Sequence, residues 1–272
     1  MVAPKSASTV IFLREDRASG FSVLMLKRNI ALEFVGGAYV FPGGKVEEAD
    51  KNPELYLHCR GLDDSEASSR LHIEMNGLSY YIAAVRESFE EAGVFLGATR
   101  GRGQTLDFSL LSQARKQLNA GKMSFLEVVK ELDLEIGSDQ LIYFAHWITP
   151  EGSPRRFDTR FFISTFPDDQ VVDADYGEST SIAWISPKQA LERHGRGEFE
   201  MIVPTVKNLE VLSEFSSVKE VLEWASQERD IPAITPKLVD FNGEVEILLP
   251  DHPLYESSAE LFLLDARDLP SS

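Results

Sequence analysis

Three glutamates and an arginine are clustered in residues 83–94, where the sequence reads AAVRESFEEAGV. Glu87, Glu90 and Glu91 are spaced i, i+3 and i+4, so their carboxylates would share one face of a helix. Carboxylate oxygens on one face can bind a hard divalent cation. Taken alone, such a cluster is more often a solvated acidic face, because like charges at this spacing cost only about 0.2–0.5 kcal/mol per pair. The choice between the two depends on the surrounding sequence.

Two predicted elements could position these carboxylates. The alanine, arginine, glutamate and phenylalanine content of residues 79–92 favours a helix, and Gly93 suits the position just past its end. Residues 38–41 are typical of a short strand, which leads into the Pro-Gly-Gly sequence at 42–44. Two glycines after a proline permit a tight turn and a close approach of the backbone to a ligand.

The rest of the chain predicts a mixture of strands and helices. β-Branched and apolar runs predict one hairpin from residues 8–14 and 21–27, and a second from 141–149 and 155–166. Shorter strands are predicted at 182–185 and 244–249. Apolar residues three and four apart predict helices at 106–119 and 124–134, and a proline at the favoured first position predicts one at 187–194. Further helices are predicted at 64–73, 203–215 and 218–227. Because strands and helices do not alternate regularly, the predicted fold class is α+β, with a layered α/β/α arrangement.

Composition limits the classes of partner. The 272 residues carry 27 Lys and Arg against 44 Asp and Glu, a net charge of −17, which argues against binding a nucleic-acid backbone. Cys59 is the single cysteine, so no intramolecular disulfide can form and a reducing compartment is expected. No apolar run reaches 18 residues, and the N-terminus does not resemble a signal peptide. We expect a cytoplasmic protein without a membrane partner, and a homodimer is left open.

The sequence FPGGK at 41–45, followed by RESFEEAGV at 86–94, resembles the signature of the Nudix hydrolases. That signature is a glycine, five residues, a glutamate, seven residues, and then R-E-aliphatic-x-E-E-x-G-aliphatic. The matching positions are Gly44, Arg86, Glu87, Glu90, Glu91, Gly93 and Val94.

The chain departs from this signature in three ways. Asp50 stands at the first glutamate position, and Ser88 stands at an aliphatic position. In addition, 35 residues separate Asp50 from Arg86 where seven are expected, so 28 residues (51–78) interrupt the signature. One branch of the family, the peroxisomal-type coenzyme A diphosphatase and its bacterial relatives, carries an insertion at the same place. The sequences ITPEGSPRRFDTRFF and ILLPDHPLY also resemble that branch.

The resemblance implies a fold, a reaction and a set of metal ligands. Residues 1–200 would form a Nudix domain whose mixed sheet lies between helices, with the insertion at 51–78. Residues 201–272 would form a helical C-terminal extension packed on the same domain. The reaction would be metal-dependent hydrolysis of a diphosphate bond, with Mg²⁺ or Mn²⁺ held by Glu87, Glu90, Glu91 and the backbone carbonyl of Gly44. Arg86 would orient these carboxylates, and the general base would be Glu87 or, as the alternative, Glu178.

Three basic residues are candidates for binding the substrate. Arg156 shares a strand face with Asp158 and could bind a phosphate, although an Arg–Asp pair that caps the sheet edge explains it equally well. Lys27 and Arg28 end a predicted strand and could bind a phosphate or simply be solvated. The expected substrate is a small nucleoside diphosphate derivative, coenzyme A or acyl-coenzyme A. ADP-ribose, NADH or a nucleotide sugar is the alternative, and a Nudix-fold module without catalysis is a third reading.

Overall fold

A mixed β-sheet forms the middle layer of the protein, in a computed structural model that describes residues 2–30, 36–101, 105–174, 179–227 and 229–261. The strands are β1 (Lys5–Asp16), β2 (Gly20–Arg28), β3 (Tyr39–Val40), β4 (Gly43–Lys45), β5 (Gly97–Thr99), β6 (Leu134–Ile136), β7 (Ile142–Ile148), β8 (Phe157–Thr165), β9 (Ser179–Ile185), β10 (Ala233–Ile234), β11 (Lys237–Phe241) and β12 (Glu244–Leu248). The helices are α1 (Pro53–Tyr56), α2 (Asp64–Arg70), α3 (Gly77–Ala92), α4 (Phe108–Asn119), α5 (Phe125–Glu131), α6 (Pro187–Gly195), α7 (Val203–Leu212) and α8 (Val218–Ala225).

The sheet separates at one end, and there Gly43 and Gly44 form the start of strand β4 instead of the predicted tight turn. β1 and β2 form the predicted antiparallel hairpin, but they pair directly only near their turn. Farther along, β1 pairs with β4, where Gly44 lies opposite Ser8, and β2 pairs with β3. β9 pairs with β2 from Val23 to Arg28. The chain between β3 and β4 therefore crosses from β2 to β1. The other side of β1 pairs in parallel with β8, which forms the second predicted hairpin with β7.

Helices cover both faces of the sheet. Alternate residues of β1 point to opposite faces, so Val10 and Phe12 pack in one core, and Ile11 and Leu13 pack in the other. The first core includes residues of α2, α3, α4 and α5, whereas the second includes residues of α6, α7 and α8. This arrangement confirms the predicted α+β class and its layered α/β/α architecture.

The insertion at 51–78 is folded and forms part of the first core. It contains α1 and α2, and it buries Leu55, Leu62 and Leu71. Its middle pairs with β6 through backbone hydrogen bonds from Ile136 N–H to the His58 carbonyl and from Arg60 N–H to the Ile136 carbonyl, each 2.8 Å long. The insertion is therefore packed into the domain along its length.

The C-terminal region is only partly helical. The predicted helices appear as α7 and α8, but the chain then continues as β10 and the β11–β12 hairpin. The expectation of a helical extension with one strand was therefore incomplete. Asn242 and Gly243 have φ of 58° and 91°, as a two-residue hairpin turn requires, and an Asn-Gly pair between apolar runs is a recognised signal for it. In the described parts of the chain, no helix has the length and apolar content needed to cross a membrane.

Candidate active site

Helix α3 holds the glutamate cluster at its C-terminal end, as predicted. Gly93 ends the helix with a left-handed φ of 70°. Its N–H donates to the Phe89 carbonyl (3.1 Å), and the N–H of Val94 donates to the Ser88 carbonyl (3.2 Å). Such a glycine cap fixes the last turn of the helix.

Arg86 is the centre of a buried network of ion pairs. Its Nη1 donates to Glu87 Oε1 and to Glu90 Oε2, both at 2.9 Å. Its Nη2 donates to the Lys45 carbonyl at 2.8 Å, so the guanidinium joins α3 to the end of β4. Only 7% of the Arg86 side chain is exposed. Arg86 thus contacts two of the three glutamates that it was predicted to orient, Glu87 and Glu90.

Asp50 completes this network from across the insertion. Its two carboxylate oxygens accept hydrogen bonds from Arg86 Nε (2.8 Å) and Nη2 (2.9 Å), and its side chain is 1% exposed. A two-point pair of this kind fixes geometry as well as charge. The residue that departs from the signature therefore joins its two separated parts, although the partners are 36 positions apart in the sequence. Sequence reasoning noted Asp50 but gave it no role.

Gly43 and Gly44, the first residues of β4, lie directly against the glutamates. The Gly43 N–H donates to Glu91 Oε2 at 2.9 Å. A Cβ atom added to Gly44 would lie 2.5 Å from both Cδ and Oε1 of Glu87, closer than any side-chain contact allows. Position 44 must therefore be a glycine if the Glu87 carboxylate is to stay where it is. The glycine segment, which is a strand and not the predicted turn, and helix α3 therefore lie together at one site.

The site carries an excess of negative charge. The carboxylates of Asp50, Glu87 and Glu90 contact a single guanidinium, that of Arg86, and the Glu91 carboxylate lies beside them against Gly43. Burial raises the pKa of Glu87 to about 7, the negative charge of Glu90 acts in the same direction, and Arg86 opposes both. Burial likewise raises the pKa of Glu90, against the effect of Arg86. A bound divalent cation would offset this charge, and carboxylate oxygens are suitable ligands for it.

The carboxylates fit a metal ion by type and charge, but they are not prearranged around a common point. Among the described residues, no group of three His, Cys, Asp or Glu side chains has the geometry of a metal site. Oxygen atoms of Glu87 and Glu90 instead face Nη1 of Arg86.

The insertion caps the start of α3. Asn76, just before the helix, has a left-handed φ of 62° and makes no side-chain capping bond. The Asp64 carboxylate of α2 accepts the N–H groups of Asn76 and Leu78, both at 3.0 Å, and Ser68 Oγ accepts that of Gly77 at 2.9 Å. These bonds satisfy donors that a helix N-terminus leaves free. The insertion therefore helps to hold the helix that carries the site, a role that sequence spacing did not reveal.

The predicted phosphate ligands Lys27 and Arg28 lie at the end of the sheet where β1 and β2 separate, the same end as Gly44. Lys27 Nζ is 5.5 Å from the centre of the Tyr39 ring. Arg28 is half-buried, and its Nε has no hydrogen-bond partner among the described residues. Both remain candidates for binding substrate.

The contacts of Arg156 are structural. This side chain is 8% exposed; its Nε donates to the Thr149 carbonyl and its Nη1 to the Val2 carbonyl, both at 3.1 Å. The guanidinium thus ties the β7–β8 turn to the N-terminal segment, an arrangement that does not support the expected phosphate-binding role. Asp158 does not pair with it but contacts His146 and Arg160. The alternative base, Glu178, lies outside the described residues.

Comparisons with known proteins agree with this geometry. A family model described as the NUDT19 Nudix domain matches residues 61–212, more than half of the chain. The matched range contains α3 but begins after Gly44 and Asp50.

Two curated relatives extend the likeness. The acyl-coenzyme A diphosphatase NUDT19 of Homo sapiens is 28% identical over 283 residues, which cover 89% of this chain and 74% of the human protein. A relative from Caenorhabditis elegans that carries a nudix hydrolase name is 31% identical over 192 residues, which cover 71% of this chain and 56% of that protein. The chain therefore spans between about half and three quarters of the length of these relatives.

One solved structure shows the shared fold. A NUDIX hydrolase from Alicyclobacillus acidocaldarius superposes with a TM-score of 0.64 at 22% sequence identity. The superposition covers 82% of this chain and 97% of the other.

Proposed function

This chain belongs to the Nudix hydrolase family, and on that premise we propose that it hydrolyses the diphosphate bond of coenzyme A or acyl-coenzyme A with a divalent metal ion, Mg²⁺ or Mn²⁺. The observation that carries the proposal is the site itself: Gly44, Arg86 and the three glutamates are brought together across the insertion with all carboxylates retained. The names of the NUDT19 relatives support the choice of substrate.

Each residue of the site has a distinct task in this proposal. Glu87, Glu90, Glu91 and the Gly44 carbonyl would hold the metal ion, and Arg86, itself fixed by Asp50, would orient the carboxylates. The bound ion supplies charge neutralisation at the phosphoryl oxygens and a water of lowered pKa. Lys27 and Arg28, at the open end of the sheet, would bind the phosphates of the substrate.

Glu87 is the first candidate for the general base. Burial raises the pKa of Glu87 to about 7 in the metal-free site, and a bound cation would lower it, so this candidacy rests on the position of the carboxylate in the site. Residues 175–178, which include the alternative base Glu178, are outside the described part of the chain. Substituting each glutamate in turn and comparing the pH profiles of kcat would separate the two candidates.

A substrate panel tests the proposed substrate. The purified protein, with Mg²⁺ or Mn²⁺, would be given coenzyme A, an acyl-coenzyme A, ADP-ribose, NADH and a nucleotide sugar, and the products would be identified by mass spectrometry. We expect release of 3′,5′-ADP and a phosphopantetheine product from the coenzyme A substrates at the highest kcat/KM. Faster turnover of ADP-ribose, NADH or the nucleotide sugar would instead support the alternative substrate class. The cytoplasmic location and the homodimer stay predictions.

A further inference from the structure

The last turn of α3 carries Glu90 and Glu91, and its outermost carbonyls receive their partners from elsewhere in the fold. A helix end leaves its final carbonyls without intrahelical donors. The glycine cap satisfies two of these carbonyls, as described above. The Ala92 carbonyl accepts from the Asp173 N–H at 2.9 Å, and the carbonyls of Glu90 and Glu91 accept from side chains of α4.

Arg115 supplies most of these bonds. Its Nε and Nη2 donate to the Glu90 carbonyl at 3.1 and 2.9 Å, and Nη2 also lies 3.2 Å from the Glu91 carbonyl. Its Nη1 donates to the Asp173 carboxylate at 3.1 Å. Asn119, one turn farther along α4, donates to the Glu90 carbonyl at 3.1 Å. Arg115 is only 7% exposed, so its charge is committed to this location.

The glycine that follows the helix leaves room for this guanidinium. A Cβ atom at Gly93 would lie 3.0 Å from Arg115 Nη1 and 3.3 Å from the Asp173 carbonyl oxygen. Any side chain at this position would push against the arginine. Gly93 therefore permits two things at once, the left-handed helix end and the close approach of Arg115 behind it.

The electrostatics of the turn point the same way. The C-terminal end of a helix has a partial negative charge, and here three glutamate side chains add to it. Arg86 contacts the side chain of Glu90 in this turn, whereas Arg115 contacts the backbone carbonyls of Glu90 and Glu91. The buried guanidinium of Arg115 at these carbonyls stabilises the helical form of this turn, whereas repulsion between the glutamate carboxylates would weaken it.

We propose that Arg115, assisted by Asn119, is a positioning residue that fixes the last turn of α3 so that Glu90 and Glu91 can bind the metal ion. This inference rests on the proposed function, because it assigns a task toward the metal ion that the site is expected to hold. The bonds that Arg115 donates to these residues reach the backbone carbonyls of Glu90 and Glu91. Arg115 acts through their backbone, as residues behind a metal ligand often do.

The test compares Mn²⁺ binding by matched arginine variants in the absence of substrate. Free Mn²⁺ would be measured by electron paramagnetic resonance for the full chain and for Arg115→Lys, Arg156→Lys and Glu90→Gln, with the thermal midpoint of each. Arg156 is the matched control, since it is similarly buried and also donates to two backbone carbonyls, but these lie in the β7–β8 turn and the N-terminal segment, not in the last turn of α3. Lysine keeps the charge in both variants and removes the forked donor.

We expect Arg115→Lys to raise the Mn²⁺ dissociation constant about tenfold, while Arg156→Lys lowers the thermal midpoint and leaves the constant unchanged. An unchanged constant in Arg115→Lys, beside a raised one in Glu90→Gln, would overturn this inference and leave the metal site intact. If the parent protein binds no Mn²⁺, or Glu90→Gln binds it equally well, the proposed metal site fails, and this inference fails with it. Should Arg115→Lys not fold, Asn119→Ala takes its place, with an expected rise of about threefold and the same criteria.

Discussion

Replacing Gly44 with alanine should disable the site while leaving the fold in place. The added Cβ would lie 2.5 Å from Glu87 Cδ, whereas carbon atoms in contact are about 3.5 Å apart or more. Either the Glu87 carboxylate or the backbone of β4 at position 44 must therefore move by about 1 Å. A displacement of that size in a catalytic group can lower the rate about 100-fold. Because the Glu87 side chain is 14% exposed and can rotate, we expect the free energy of unfolding to fall by no more than about 2 kcal/mol.

The assay for Gly44→Ala is steady-state hydrolysis over a range of metal concentrations, with urea unfolding of the same samples. Gly195→Ala is the matched control, since nothing lies within 4 Å of a Cβ at that position and Gly195 is the last residue of α6. We expect Gly195→Ala to keep the parent rate and Gly44→Ala to lose about 100-fold in kcat/KM. The reasoning is refuted if Gly44→Ala keeps the parent rate, or if its loss only mirrors the unfolded fraction.

Four further results are expected. Because Glu87 has a folded-state pKa of about 7 against an ordinary 4.5, the metal-free protein should lose stability as pH rises from about 4.5 to 7, on the order of 3 kcal/mol from this group. Urea unfolding in EDTA at pH 5 and 7.5 should show a smaller difference for Glu87→Gln, and an equal difference would contradict the assignment. Asp50→Ala removes the two-point partner of buried Arg86 and should cost about 3 kcal/mol in chemical denaturation; a loss below about 1 kcal/mol would fall within the range of exposed pairs. Arg156→Ala should lower the thermal midpoint with KM unchanged, whereas a raised KM in a folded variant would restore its phosphate-binding role. Arg28→Gln should raise KM about tenfold with little change in kcat, as expected for loss of a charge-assisted bond to the substrate, and an unchanged KM would remove Arg28 from the site.

Local sequence signals were sufficient for the helix that carries the site. The side-chain spacing of Glu87, Glu90 and Glu91, and a glycine at position 93, are properties of a short segment, and the structure has both the helix and its glycine cap. The β1–β2 and β7–β8 hairpins were also predictable, because apolar runs separated by polar turns specify antiparallel neighbours. The β11–β12 hairpin could have been predicted in the same way from Asn242 and Gly243.

Contacts between distant segments were not predictable from spacing. Asp50 meets Arg86 across 36 positions, and Asp64 of the insertion caps α3 across 12 and 14 positions. Arg156 shows the same limit in reverse: strand alternation can suggest a shared face with Asp158, but its acceptors lie 7 and 154 positions away. Which donor meets which carbonyl is decided by the packing of the layers, and that information is not local.

We propose that the carboxylates of α3, with Arg86 and Gly44 beside them, form a metal-dependent diphosphatase site. The most direct measurement is the release of 3′,5′-ADP from coenzyme A by metal-stripped protein, titrated with Mg²⁺, for the parent and for Glu90→Gln. We expect no release in EDTA, restoration by Mg²⁺ in the parent, and a loss of at least about 100-fold in folded Glu90→Gln. Turnover that persists in EDTA, or a Glu90→Gln variant as active as the parent, would contradict the account.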